Sequence, residues 1–383
     1  MTACPGAGRD VRSAPVTLEE WCAAHPRIVV AGVMLLSSLL VYVPYLSDLD
    51  KIARYWDGPP YMYVAKTLYR VPADHPFVPY DLPPWYFANH LPGYPLLIRL
   101  FTILTLGAYP AAMILATLVT AVGSALLFYE LLKSQQLVAS PLWTAVLFSF
   151  LPPRWMLYHA VGASEPLFYC LVFAAFLFLA RDRTAAVIAC IALAAVTRIT
   201  GVLLVPIFGL IYLLRGQWRR AFAVPLALLA LVAVFGWYWV VYGDFLAYFS
   251  WTVDNAQLIA PWPFTAFVRK AAEGMHSADL YAWLYLLFGI GTLALWRRRD
   301  LFVYCAVFWV FFTFTTYKDL PRYMLAFSPF ALLVGYDSVL SRRECRWVLP
   351  LLVFLDGVYA WRLIPKNMIG RAVWDQLLIA LRS

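Results

Sequence analysis

AAMILATLVTAVGSALLFYELL, residues Ala111 to Leu132, carries a single charged side chain, Glu130. A helix of this length is about 33 Å long at 1.5 Å per residue, close to the roughly 30 Å hydrocarbon core of a bilayer. To either side of it, apolar stretches recur from Ile28 to Leu363, separated by short polar joints marked by Arg, Lys, Pro or Gly. Hydrophobic residues make up 63% of the 383-residue chain and charged residues 13%, where ordinary soluble domains have about 45–50% and about 25%. The pattern predicts an all-α polytopic membrane protein with about eleven spans. These are Ile28–Tyr45, Ala111–Leu132, Leu137–Leu151, Pro166–Ala180, Thr184–Thr197, Val202–Leu214, Ala221–Tyr242, Tyr281–Trp296, Leu301–Thr316, Tyr323–Leu340 and Trp347–Leu363.

The net charge of +9 does not indicate a nucleic-acid partner, because the basic residues fall in pairs and triples between apolar segments instead of along one polar face. They act as topology signals. Lys133, Arg181 with Arg183, Arg215 with Arg219 and Arg220, Arg297 to Arg299, and Arg342 with Arg343 and Arg346 fall on alternate joints. Since short loops rich in Lys and Arg stay in the cytoplasm, the N-terminus is expected inside and the C-terminus outside. The six cysteines show neither metal spacing nor an evident pairing, and no metal site or cofactor is expected.

The expected organisation is a cytoplasmic segment 1–27, one transmembrane domain 28–364 and an outer tail 365–383. Two outer joints, 46–110 and 243–280, exceed the length of a turn and are of the kind that carries function. The first contains Leu91 to Leu106, expected to lie along the membrane surface. Thr184 to Leu214 has positive charge flanking both ends and is expected to form a hairpin with Arg198 at its tip. Each arm is then about 20 Å long, too short to cross, so Arg198 sits below the outer surface. Short, broken helices in a bundle point to a cavity open to the outside.

Asp57 lies in the first outer loop, between Trp56 and Gly58-Pro59-Pro60-Tyr61. It either builds a turn or, beside an apolar cavity, serves as a general base. Glu165, after Ser164 and before Pro166, suits a helix start in its own right; its functional alternatives are to bind sugar hydroxyls or to orient Arg198. An arginine within the membrane boundary is costly and tends to mark a site. Arg198, Lys318 and Arg322, with Tyr323 beside it, are candidates to converge on an anionic group such as a lipid phosphate. His90, with Tyr94 in the same Asn89-to-Pro95 stretch, is a candidate to face the cavity. In the second outer loop Trp251, Asp254, Asn255, Trp262 and Arg269 suit sugar contact or interface anchoring. A P-loop, a Gly-x-Ser-x-Gly elbow and a His-Glu-x-x-His motif are all absent, which removes support for nucleotide-driven transport and zinc proteolysis.

Tyr55-Trp56-Asp57-Gly58-Pro59-Pro60-Tyr61, His90-Leu91-Pro92-Gly93-Tyr94-Pro95, Ala163-Ser164-Glu165-Pro166-Leu167-Phe168 and Thr197-Arg198-Ile199-Thr200-Gly201 together with Leu320-Pro321-Arg322-Tyr323 follow one another along most of the chain. In this succession the sequence resembles the PIG-V family of membrane mannosyltransferases and its prokaryotic relatives. The resemblance implies a helical bundle of GT-C type, transferring a sugar, mannose in that family, from a polyprenyl- or dolichyl-phosphate donor. The acceptor would be a glycolipid, glycan or protein at the non-cytoplasmic face, the exterior of a bacterial plasma membrane for a prokaryotic member. It places the acidic base at Asp57; beside it, Arg198, Lys318, Arg322 and Tyr323 are the candidates to contact the donor phosphate, and Trp56, Tyr61, His90, Tyr94 and Glu165 the candidates to contact substrate. Many relatives have Arg directly before Trp, whereas here Tyr55 intervenes and Arg54 stands one place further back. A non-enzymatic carrier of lipid-linked sugar would share the intramembrane arginines and broken helices but would have no use for a base at Asp57.

Overall fold

With no water in the hydrocarbon core, backbone N–H and C=O groups must satisfy one another within each segment, and the apolar runs fold as helices. The computed structural model describes residues 17–55, 57–250, 259–316 and 319–382. In chain order, α1 (Pro26–Tyr45) precedes two helices of the first long loop, α2 (Gly58–Thr67) and α3 (Gly93–Phe101), and then α4 (Tyr109–Ser134). Next come α5 (Pro141–Phe148), α6 (Pro153–Tyr158), α7 (Glu165–Ala180), α8 (Thr184–Ala195), α9 (Ile199–Leu214) and α10 (Trp218–Tyr242). The remainder holds α11 (Thr265–Glu273), α12 (Met275–Ala294), α13 (Arg299–Thr313), α14 (Leu349–Leu363) and α15 (Arg371–Arg382). The described residues form no β-strand, only two isolated bridges, Tyr55 with Met368 and Ile259 with Thr315. Helices α4, α5, α6 and α7 each have a proline in the first turn, where a missing N–H costs no intrahelical bond.

Three helices, α1, α4 and α10, are long and apolar enough to cross a membrane. Shorter apolar helices are α7, α8, α9 and the Ala278–Ala294 part of α12. Two predicted spans hold no helical piece longer than eight residues. Leu137–Leu151 contains only the eight-residue α5. Tyr323–Leu340 is cut into short α, 3-10 and π pieces, with Pro321 and Pro329 each removing a backbone donor. The hairpin expected over Thr184–Leu214 is present as α8 and α9, with Arg198 in extended backbone between them.

Helix α7 packs between α4 and α8, and α4 also packs on α1. A large core runs through these helices, rich in aromatic rings such as Phe128, Phe148, Phe173 and Phe330. A second core joins the loop helices α2 and α3 to α10 and α15, through Met62, Phe87, Tyr94, Tyr238 and Trp374. In α3 the inward residues Tyr94 and Ile98 are fully buried, while Leu96 and Leu100 remain exposed, an apolar outer face suited to lipid. The C-terminal segment, expected as an outer tail, ends in α15, which docks on α2 and buries Trp374 completely. The Arg54 guanidinium fastens it, donating to the Ile369 carbonyl from Nε at 3.0 Å and Nη2 at 2.6 Å.

The basic joints gather at one end of the bundle, tied by contacts between helix ends. Arg27 meets Glu130 at 2.7 Å, Arg220 meets Asp182 at 2.5 Å, Arg215 pairs with Asp300, and Arg298 donates to the Gln136 carbonyl at 3.3 Å.

Candidate active site

Four charged residues far apart in sequence meet at the other end. Asp57 occupies the N-cap position of α2, yet its side chain makes no capping bond and is ion-paired with Arg322. Glu165 opens α7, Arg198 lies in the turn between α8 and α9, and Arg322 belongs to the short helical piece Leu320–Tyr323. One Glu165 oxygen accepts from Arg198 Nη1 at 2.6 Å and from Arg322 Nε at 2.7 Å. The order Asp57, Arg322, Glu165, Arg198 therefore alternates in sign. Glu165 is 3% exposed, and such a buried carboxylate is tolerable only because two guanidinium groups compensate it. The Arg322 guanidinium also lies over the Tyr158 ring, 4.5 Å from its centroid, a cation–π contact that holds its plane.

Close backbone approach brings these pieces together. A Cβ on Gly93 would stand 2.3 Å from Thr197 Oγ1 and 2.9 Å from Thr197 Cα, so only glycine lets α3 seat on the turn that carries Arg198. The Gly93 N–H donates to the Val196 carbonyl at 2.8 Å. Likewise a Cβ on Gly162 would meet Gly58 Cα at 2.9 Å, which lets the start of α2 lie against the segment leading into Glu165.

A cavity of about 230 Å³ opens beside the cluster, lined by Asp57, Arg198 and Arg322 among others. Tyr61, His90 and Tyr323 are on its wall as well. Ser164 on the same wall accepts from Tyr61 Oη at 3.1 Å and from Arg198 Nη1 at 3.2 Å, which leaves its own O–H for a third partner. Burial pushes the Tyr61 hydroxyl up to about 12 and the His90 imidazole down to about 4, so the ring is neutral near pH 7. His90 Nδ1, Asn89 Oδ1 and Thr200 Oγ1 are buried with no protein partner, and all three residues line the cavity. A wall with several unspent polar atoms suits a ligand rich in hydroxyls.

Two residues expected to contact substrate stand off the wall. Glu165 lies behind the two arginines, in contact with them and not with the cavity. Tyr94 packs edge-on behind Tyr61, with ring centroids 5.0 Å apart, and its hydroxyl is 2.5 Å from Thr117 Oγ1 and donates to the Met113 carbonyl at 3.1 Å. Trp56 and Lys318 lie outside the described residues, as do Trp251, Asp254 and Asn255. Trp262 and Arg269 are exposed and do not line this cavity. Sequence reading missed Tyr158 beneath Arg322, together with Asn89, Thr200, Tyr86 and Tyr248 on the wall. Ser164 and Thr200 lay within quoted motifs, whereas nothing in the sequence marked Tyr158. No group of three His, Cys, Asp or Glu suited to a metal occurs among the described residues.

The described residues thus build a helical membrane bundle that gathers paired carboxylates and arginines around a polar cavity. The chain belongs to glycosyltransferase family 87, whose profile matches residues 92–339. It is thus a membrane glycosyltransferase of GT-C type. Glu165, Arg198 and Arg322 fall within the matched residues, while Asp57 and His90 precede them. No individual curated protein matches the chain.

Proposed function

We propose that the protein transfers a sugar from a polyprenyl-phosphate donor to an acceptor hydroxyl by a single inverting displacement, with Asp57 as general base. Mannose is the proposed sugar, on the likeness to PIG-V enzymes, and the non-cytoplasmic face of a bacterial plasma membrane the proposed location. The observation that carries the reading is the bridge through Arg322, which joins Asp57 to Glu165 at the wall of the polar cavity.

In the proposed step the acceptor oxygen attacks the anomeric carbon as its proton passes to Asp57. The bond from that carbon to the phosphate oxygen breaks, and polyprenyl phosphate leaves with the electron pair. The leaving group gains one negative charge, and Arg198 and Arg322 are the cations placed to hold it. A phosphate arriving at Arg322 competes with Asp57 for the guanidinium. Donor binding thereby releases the carboxylate to accept a proton, and the base becomes available when there is a sugar to transfer.

Asp57→Asn preserves shape and removes the basic carboxylate. Purified Asp57→Asn protein, given a panel of polyprenyl-phosphate sugars, is expected to bind donor but to transfer it roughly 10²–10⁴-fold more slowly. Transfer at the wild-type rate would eliminate Asp57 as the base. Turnover with another sugar lipid but none with the mannosyl lipid would remove the mannose assignment and keep the transferase.

A further inference from the structure

A second concavity, of about 370 Å³, lies at the end of the bundle remote from the candidate active site. Arg215, Arg297, Arg298 and Arg299 line it. Its apolar lining includes Leu137, Phe176, Leu179 and Leu301, each buried.

Three helices run from one site to the other. The N-terminal half of α4 reaches the active-site end through Met113 and Thr117, which hold Tyr94, and its C-terminal end supplies Leu131 and Gln135 to the second cavity. Met113 to Gln135 corresponds to about 33 Å of helix. Helix α7 begins at Glu165 and ends with Leu179 and Ala180 on the second cavity, and α9 follows Arg198 and leads to Arg215. The second cavity thus faces the headgroup region of the opposite leaflet.

Its charge is only partly compensated from within, by Asp300, the carboxylate on the lining. Arg215 is paired with Asp300, but among the described residues no carboxylate forms an ion pair with Arg297, Arg298 or Arg299. Asp300 sits in the first turn of α13, where it offsets the positive end of that helix, so the surplus charge of the cavity rests on Arg297, Arg298 and Arg299. A topology signal needs only basic residues in a joint and would be met equally well by lysines on a convex surface. Forked guanidinium groups around an apolar floor match an amphiphile with a phosphate head, since the fork binds phosphate oxygens bidentately and the floor accepts methylenes.

We propose that this cavity binds the phosphate headgroup of an anionic phospholipid in the leaflet opposite the candidate active site. Free phosphate shares the charge but has no chain for the floor. The proposal does not depend on sugar transfer, and its test reads lipid binding alone.

The test is thermal unfolding of the full chain in neutral detergent, titrated with phosphatidylglycerol, phosphatidylcholine or inorganic phosphate at matched concentration. Phosphatidylglycerol is expected to raise the Tm, with native mass spectra showing retained lipid, and the other two to leave it unchanged. R297Q/R299Q is expected to weaken the phosphatidylglycerol response by about tenfold or more in half-saturating concentration, whereas Asp57→Asn keeps the wild-type response. A wild-type titration in R297Q/R299Q, or equal stabilisation by phosphatidylcholine or inorganic phosphate, would overturn the proposal. Should R297Q/R299Q fail to fold, R297K/R299K keeps the charge but removes the fork; weaker binding supports the site, and unchanged affinity overturns it.

Discussion

Arg322 is the residue through which the candidate site is connected, touching Asp57, Glu165 and the face of Tyr158 at once. A lysine could supply the charge but not this geometry, because an ammonium is a compact point charge without a planar fork to span two carboxylates while its face lies on an aromatic ring. His90 faces the same cavity from the other core, and its ionisation has a consequence for stability. Burial is the main cause that takes its imidazole from 6.5 to about 4; Asp57 opposes that shift and Arg322 adds to it. Between those two values the unfolded chain binds the proton and the folded protein does not, so stability falls as pH drops through this window. His90→Gln removes that contribution. Tm measured from pH 7.5 to pH 4.5 is expected to decline less steeply for His90→Gln than for wild type, and parallel curves would show that His90 does not titrate as a buried imidazole. Each charged member of the cluster was legible in the sequence because a charge within or beside apolar chain is conspicuous. Their pairing was not, since Arg322 and Glu165 are 157 residues apart and only tertiary packing joins them. Tyr158 is uncharged in an aromatic-rich chain and left no such mark.

Short elements, rather than long spans, position the site. Helix α3 and the turn between α8 and α9 meet at Gly93, where backbone lies against backbone and the Gly93 N–H bonds to Val196. Gly93→Ala forces a methyl group to within 2.3 Å of Thr197 Oγ1 and must push the turn, and Arg198 with it, away from α3. Overpacking of this kind costs about 1–3 kcal/mol. A lower Tm is expected together with reduced sugar transfer, and full activity at wild-type Tm would show that the turn relaxes without moving Arg198. Arg54 illustrates the limit of motif reading at this scale. Its place before Tyr55-Trp56 resembles a family position, yet its guanidinium is occupied by the Ile369 carbonyl and secures the C-terminal segment to the first loop. Apolar runs identified where helices occur, but not where prolines divide them, because a run such as Tyr323–Leu340 has the same hydropathy whether continuous or broken.

At the scale of the whole molecule, charge is sorted into two ends with different chemistry. One end places alternating carboxylates and guanidinium groups around the polar cavity, and the other collects basic joints. Helices α4, α7 and α9 connect the two, and α4 is long and apolar enough to cross a membrane, so the proposed arrangement has the ends on opposite faces. By the positive-inside rule we propose that the basic end is cytoplasmic and the first long loop, with Asp57, outside. This orientation can be tested without any assay of sugar transfer. In a background with the native cysteines replaced by serine or alanine, Ala73→Cys marks the exposed first loop and Ser134→Cys the exposed C-terminal end of α4. A membrane-impermeant maleimide applied to intact cells is expected to label Ala73→Cys at once and Ser134→Cys only after permeabilisation. The reverse order would invert the molecule and place Asp57 in the cytoplasm. Labelling of both in intact cells would mean that α4 does not cross, which would remove the separation on which the two-ended arrangement rests.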